Sequence, residues 1–258
     1  MSPVLSAPAA FPPAPQAPLA VPEEATIEAA DGCPLAVRHY RPTIARANGA
    51  VLIVPAMGVP QRFYQAFATW LAATGRHVLT FDFRGSGLSR KAPLRHERAD
   101  ILTWAELDTA AALAALIRRA PGLPITWVGH SLGGQIVPLV PGHGAVAKVI
   151  TVATGSGYWR ENAPPLKKKV WLLWFGLVPV LTPLFGYFPG RRLGMVGDLP
   201  RGVIQQWRRW CLNPDHLVGV EPGLRERYAD FTIPVTSISF TDDELMSNAK
   251  YRIDSWVL

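Results

Sequence analysis

Only two cysteines occur in the 258 residues, Cys33 and Cys211, far apart and in no metal-ligand spacing. Their scarcity excludes a disulfide framework and a cysteine-bound metal, and it suits a reducing, cytoplasmic setting. No metal or cofactor is expected. Charge is thin as well: 17% of residues are Asp, Glu, Lys or Arg, with a net charge of +7. The basic residues fall in short clusters at Arg118-Arg119, Lys167-Lys168-Lys169, Arg191-Arg192 and Arg208-Arg209 rather than in one stripe. No helix-turn-helix, zinc-finger or RNA-binding signature accompanies them, so nucleic acid is not an expected partner. Histidine stops early. His39, His77, His96, His130, His143 and His216 are all there are.

The N-terminus lacks what a secretory signal needs. Residues 1–24 are rich in Ala and Pro, no Lys or Arg comes first, and prolines interrupt every apolar stretch. A disordered tail is expected there. Long apolar runs are also missing, with one exception. Residues 170–188, VWLLWFGLVPVLTPLFGYF, carry no charge and are about long enough to span a bilayer. Pro179, Pro183, Gly176 and Gly186 interrupt the run, so a lid of two short apolar helices is expected. A membrane segment or a peripheral membrane contact through 170–188 stays open as the other reading.

What is present is a strand–helix rhythm. Ala25 to Tyr40 alternates around Asp31-Gly32 and reads as a hairpin. Ala50–Val54 is a continuous apolar run of the buried-strand type. Phe63 to Thr74 reads as a helix with Phe63, Phe67, Trp70 and Leu71 on one face, followed by a strand at His77–Phe83. A long Ala/Leu-rich helix at Ala99–Ala120, a strand at Ile125–Val128 and another at Lys148–Ala153 follow. Alternation at this spacing predicts an α/β fold with a mostly parallel sheet covered by helices on both faces. The rhythm stops over 158–230, as in an inserted helical cap, and resumes at Pro234–Phe240. The expected division is a tail at 1–24, core at 25–157, cap at 158–230 and core again at 231–258.

The chemistry centres on Gly129-His130-Ser131-Leu132-Gly133. A buried strand runs straight into this turn and an apolar helix follows. Glycines two residues before and after the serine allow a turn too tight for side chains, which lifts the Ser131 hydroxyl onto the carboxyl edge of the sheet. There it would act as a nucleophile, with the helix N-terminus favouring developing negative charge. The amide of Leu132 would be one oxyanion donor. The second should come from the loop Pro55-Ala56-Met57-Gly58, after the Ala50–Val54 strand.

In their order and spacing, VLIVPAMGVP, FDFRGSGLSR and WVGHSLGGQ resemble the α/β-hydrolase superfamily. The nearest likeness is to its serine aminopeptidase and monoacylglycerol-lipase-like branch, and within it to a group of uncharacterised bacterial hydrolases. The resemblance spans about 25–246. It implies a cap after the sixth strand and an oxyanion donor at Met57, although Pro55-Ala56 stands where many members have His-Gly. It also implies an acid after the seventh strand, for which Asp243 matches best and Asp242 competes. The DFRGSG turn, with Asp82 and Arg84, is expected to brace loops rather than to react.

One part of the expected triad is absent. In this fold the order is serine, acid, histidine, and all six histidines precede Asp242. The C-terminal strand and helix of the fold are also not visible in the sequence. Three readings stay open: a truncated hydrolase, a non-catalytic homologue, or another histidine serving as base, with His216 of the cap, His130 and His143 weighed. The expected activity is cleavage of a carboxylic ester with an apolar acyl group. The alternative is a binding or membrane-associated protein without turnover. Oligomeric state is not legible.

Overall fold

A computed structural model describes residues 20–162 and 164–240 of the chain. The hairpin is β1 (Glu23–Glu28) and β2 (Pro34–Tyr40), paired antiparallel. Strand β3 (Gly49–Val54) is buried along its whole length, as its uninterrupted apolar sequence requires. Helix α1 (Gln65–Ala73) follows, then β4 (Arg76–Phe81). Asp100 caps the next helix through its side chain, which accepts from the Thr103 amide. That helix comprises α2 (Ile101–Thr103), a π turn at Trp104–Thr109 and α3 (Ala110–Arg119). Strand β5 (Ile125–His130), helix α4 (Leu132–Gln135) and strand β6 (Val146–Val152) complete the first part.

Between β6 and the last strand lie α5 (Pro164–Leu172), a π turn at Leu173–Leu177, α6 (Val178–Phe185), the short strands β7 (Tyr187–Phe188) and β8 (Leu199–Pro200), α7 (Arg201–Leu212) and α8 (Leu224–Ala229). Strand β9 (Val235–Ile238) then rejoins the sheet. Strand order is β1-β2-β4-β3-β5-β6-β9. From β4 to β9 every neighbouring pair is parallel, and only the hairpin end is antiparallel. This is the expected mostly parallel sheet flanked by helices, an α/β-hydrolase architecture.

Two helices differ from the sequence reading. In α1 and the 3-10 turn that leads into it the aromatic face points outward: Phe63, Phe67 and Trp70 are exposed, while Ala68 and Ala72 are fully buried against the sheet. Small side chains let the helix approach closely, and the aromatics are left on the rim. In the cap, residues 166–185 form one continuous helix instead of two short ones. Pro179 sits in the first turn of α6, where a missing amide is tolerated, and the π turn just before it absorbs the change of hydrogen-bond register.

Candidate active site

The elbow begins with register. Strands β3 and β5 pair in parallel with Val54 opposite Gly129, so the loops leaving both strands emerge side by side. Ser131 follows at φ 50° and ψ −112°, a backbone region that a residue with a side chain rarely adopts. Such strain persists only where the surroundings enforce it, and here they do. The Ser131 amide donates to the Val152 carbonyl (2.9 Å), and the Ser131 carbonyl accepts from the Thr154 hydroxyl (3.0 Å).

Glycine is required on both sides of the serine. A Cβ on Gly129 would lie 2.4 Å from the Gly133 carbonyl oxygen, and one on Gly133 would lie 2.2 Å from that of Val54. On Gly134 it would meet the Thr154 hydroxyl at 2.3 Å. The buried Trp127 indole donates to the Gly133 carbonyl (2.9 Å) and fixes the turn from beneath. Ser131 itself is partly exposed, and among the described residues its hydroxyl has no hydrogen-bond partner.

Helix α4 is only 4 residues long. Pro138 has no amide and its ring clashes with a carbonyl four residues back, so the helix gives way to a 3-10 turn at Val137–Leu139. Four residues carry little macrodipole. The electrostatic help expected from a helix N-terminus therefore reduces to the local amide of Leu132.

The neighbouring loop is arranged to present one amide. Pro55 has none, and the Ala56 amide donates to the Tyr64 hydroxyl (2.9 Å). Among the described residues neither the Met57 nor the Leu132 amide makes a backbone hydrogen bond. The departure from His-Gly at this loop thus leaves Met57 as its first unengaged donor. Tyr64 is held protonated by burial, which pushes its hydroxyl well above the usual range. Having accepted from Ala56, that hydroxyl donates to His130 Nδ1 (3.0 Å). His130 is accordingly neutral, its pKa lowered by burial.

The other histidines lie elsewhere. His39 and His77 meet at 3.1 Å, His143 bonds the Val140 carbonyl (2.8 Å), and His96 lies against Arg95 (3.2 Å). His216 is fully buried in the cap, packed on Trp210 and 4.0 Å from the Cys211 sulfur, with the Gly157 backbone close against its ring. Asp242 and Asp243 fall outside the described residues. Among the described residues no group of three or more His, Cys, Asp or Glu could hold a metal ion.

Several supporting residues were not legible beforehand. Tyr64 and Thr154 act on the elbow from elements outside its own strand and helix, and Trp127 acts from the strand just before it through its indole N–H. The cap reaches the site through Gly197, whose backbone packs on Gly58 so closely that a Cβ on Gly197 would lie 2.6 Å from the Gly58 carbonyl oxygen. An apolar cavity lies behind the elbow, lined by Gln135, Pro138, Val149, Tyr228 and Phe231, and Ser131 does not line it.

The DFRGSG turn is structural in its contacts. The Asp82 carboxylate accepts from the Gln61 amide (2.7 Å), the Gln61 side chain (3.0 Å) and the Leu88 amide (2.8 Å). Arg84 is shared between Asp31 and Asp108, and the Trp104 indole donates to its carbonyl. The π turn at Trp104–Thr109 holds Asp108 and Trp104 toward it.

Similar proteins agree with this architecture. The profile of the family described as serine aminopeptidase, S33, matches residues 45–187, more than half of the chain. No curated protein matches. Among solved structures, the thioesterase domain from the curacin biosynthetic pathway aligns over 92% of this chain and 89% of its own, with 15% identity and a TM-score of 0.54. A soluble variant of monoglyceride lipase from Saccharomyces cerevisiae, bound to a substrate analogue, aligns over 68% of this chain and 56% of its own (18% identity, TM-score 0.50). A thermostable carboxyl esterase from Bacillus coagulans aligns over 63% of this chain and 50% of its own (22% identity, TM-score 0.43). The chain thus spans about half the length of the esterase and of the lipase. The thioesterase domain and the lipase share its fold, and the profile places its family: the chain belongs to the S33 serine aminopeptidase family of α/β-hydrolases.

Proposed function

We propose that the protein is a serine hydrolase that cleaves a carboxylic ester carrying an apolar acyl group. The observation that carries the reading is the strained, partly exposed Ser131 held between glycines that admit no side chain. Its Oγ attacks the ester carbonyl, and the amides of Met57 and Leu132 take the negative charge that develops on the carbonyl oxygen. The Oγ proton passes to the alcohol oxygen as its bond to the acyl carbon breaks, and water then adds to the acyl-serine, its hydroxyl ending on the released acid and its remaining proton on Oγ. Asp243, with Asp242 as competitor, is the acid that would orient a base. The apolar cap, touching the loop of Met57 through Gly197, supports an apolar substrate. Two free cysteines fit a cytoplasmic setting.

A base is the part that the described residues do not bring to Ser131. A serine in an intact oxyanion site without its base retains a rate about 10³–10⁴ above water. The second reading, a binding protein without turnover, is favoured by one observation: among the described residues no histidine makes a hydrogen bond to the Ser131 hydroxyl. Hydrolysis of p-nitrophenyl esters from acetate to decanoate separates the two. The proposal expects turnover above that of Ser131→Ala, greater for longer acyl chains. Equal rates for the two proteins, with the esters still bound, establish the second reading.

A further inference from the structure

From Val170 to Phe185 the cap helix carries no charge, yet it is covered on one side only. Leu173, Trp174, Val178 and Thr182 are buried at a spacing of about one turn, and they face α7. Trp174 meets Trp207 edge to face, and Arg208 donates to the Trp174 carbonyl (2.6 Å). The opposite stripe is Trp171, Leu172, Phe175, Val180 and Leu184, all exposed, with Leu184 at 72%. A water-facing helix of a globular protein would put polar residues there. An exposed apolar patch of this kind marks a docking surface.

Charge identifies what docks. From Glu161 to Asp198 the chain has no acidic residue between them and five basic ones, Lys167, Lys168, Lys169, Arg191 and Arg192. They sit at the two ends of the stripe. Arg192 lies over the Phe185 ring and Arg160 over Trp159, so cationic heads are held on aromatic rings at both ends. A second copy would bring the same positive charge to the same face and be repelled. A bilayer with anionic headgroups offers the opposite: acyl tails for the stripe and negative charge for its ends.

We propose that the helix Leu166–Phe185 lies in the plane of an anionic membrane surface, with its Trp171–Leu184 stripe among the acyl chains and its inner face kept on α7. The helix is long and apolar enough to cross a membrane. A span would strip it from α7, whereas in-plane docking keeps every contact described above. This placement is independent of the reaction assigned to Ser131, and Ser131→Ala should bind membranes like the unaltered protein.

The test is co-sedimentation of the full chain with vesicles of phosphatidylcholine alone and of phosphatidylcholine mixed with phosphatidylglycerol, at low and high salt. Binding to the anionic vesicles is expected, weakened by salt and removable by an alkaline carbonate wash. Each lysine is worth about fivefold, so Lys167→Gln, Lys168→Gln and Lys169→Gln together should weaken it by about a hundredfold. Trp171→Ser with Phe175→Ser and Leu184→Ser should abolish it, while circular dichroism stays unchanged because these side chains face outward. Three results would overturn the proposal: no vesicle binding, binding indifferent to both sets of substitutions, or retention through the carbonate wash, which would mean a span.

Discussion

After β4 and after β5 the chain makes two glycine-rich turns, DFRGSG and GHSLGG, that look alike in sequence and differ in where they place strain and polar atoms. In the first, the positive φ angles fall on Gly85 and Gly87, which adopt them without penalty. Every side chain that matters is engaged: Asp82 by three donors, Arg84 by two carboxylates, and Ser89 between the Ala36 amide and the Asp82 carbonyl. In the second, the positive φ falls on Ser131 and the glycines supply room around it. Its hydroxyl is left unengaged among the described residues. A turn whose buried charges are all paired, and whose positive φ angles fall on glycine, is a brace. A turn that holds a strained residue with a free hydroxyl is built to react.

Changes in the first turn should therefore cost stability and spare reactivity, and changes in the second should cost reactivity whatever they do to stability. Arg84→Met should have the largest effect on stability, about 3–5 kcal/mol by denaturant unfolding, because it leaves Asp108 buried and unpaired. Burial already pushes the Asp108 carboxyl up to about 6. A raised carboxyl favours the protonated folded state, so the loss in this variant should shrink as pH falls toward that value. Its folded fraction should still react at Ser131. Loss of that reactivity in a folded Arg84→Met protein would erase the distinction between the turns.

Gly133→Ala comes next, at about 3 kcal/mol, since its Cβ would overlap the Val54 carbonyl, and this variant should lose reactivity in whatever remains folded. Tyr64→Phe should cost about 1–3 kcal/mol by leaving the Ala56 amide and His130 without their partner. Ser131→Gly should raise stability by about 1 kcal/mol in the same assay, because glycine relieves the strain, whereas Ser131→Ala should not.

The smallest effect is a pH dependence. His130 has a lowered folded-state pKa, so its contribution is fully present above the usual histidine value near 6.5 and is lost as pH falls below it. His130→Gln should flatten that part of the stability profile and leave Ser131 reactive. If reactivity vanishes instead, His130 is the base.

Most of the sheet was legible because parallel strands buried on both faces carry dense apolar runs, as Ala50–Val54 and Ile125–Val128 do. The elbow was legible because its steric demand is local: the glycines stand within a few residues of Ser131. What sets the elbow from outside was not. Thr154 is an ordinary residue in sequence, and only the register of β5 against β6 puts its hydroxyl on the Ser131 carbonyl. The aromatic stripe of α1 pointed outward because Ala68 and Ala72 pack better at short range. The cap helix ran through Gly176 because a π turn could absorb Pro179. The placement of Asp242 and Asp243 lies beyond the described residues, and the acid stays a proposal.

The most direct measurement is covalent labelling of the full chain with a fluorophosphonate probe, followed by mass spectrometry of the peptides. The account predicts a single adduct on Ser131, carried equally by folded Arg84→Met and absent from Ser131→Ala. No adduct in a folded protein, or an adduct on another residue that survives in Ser131→Ala, would contradict it.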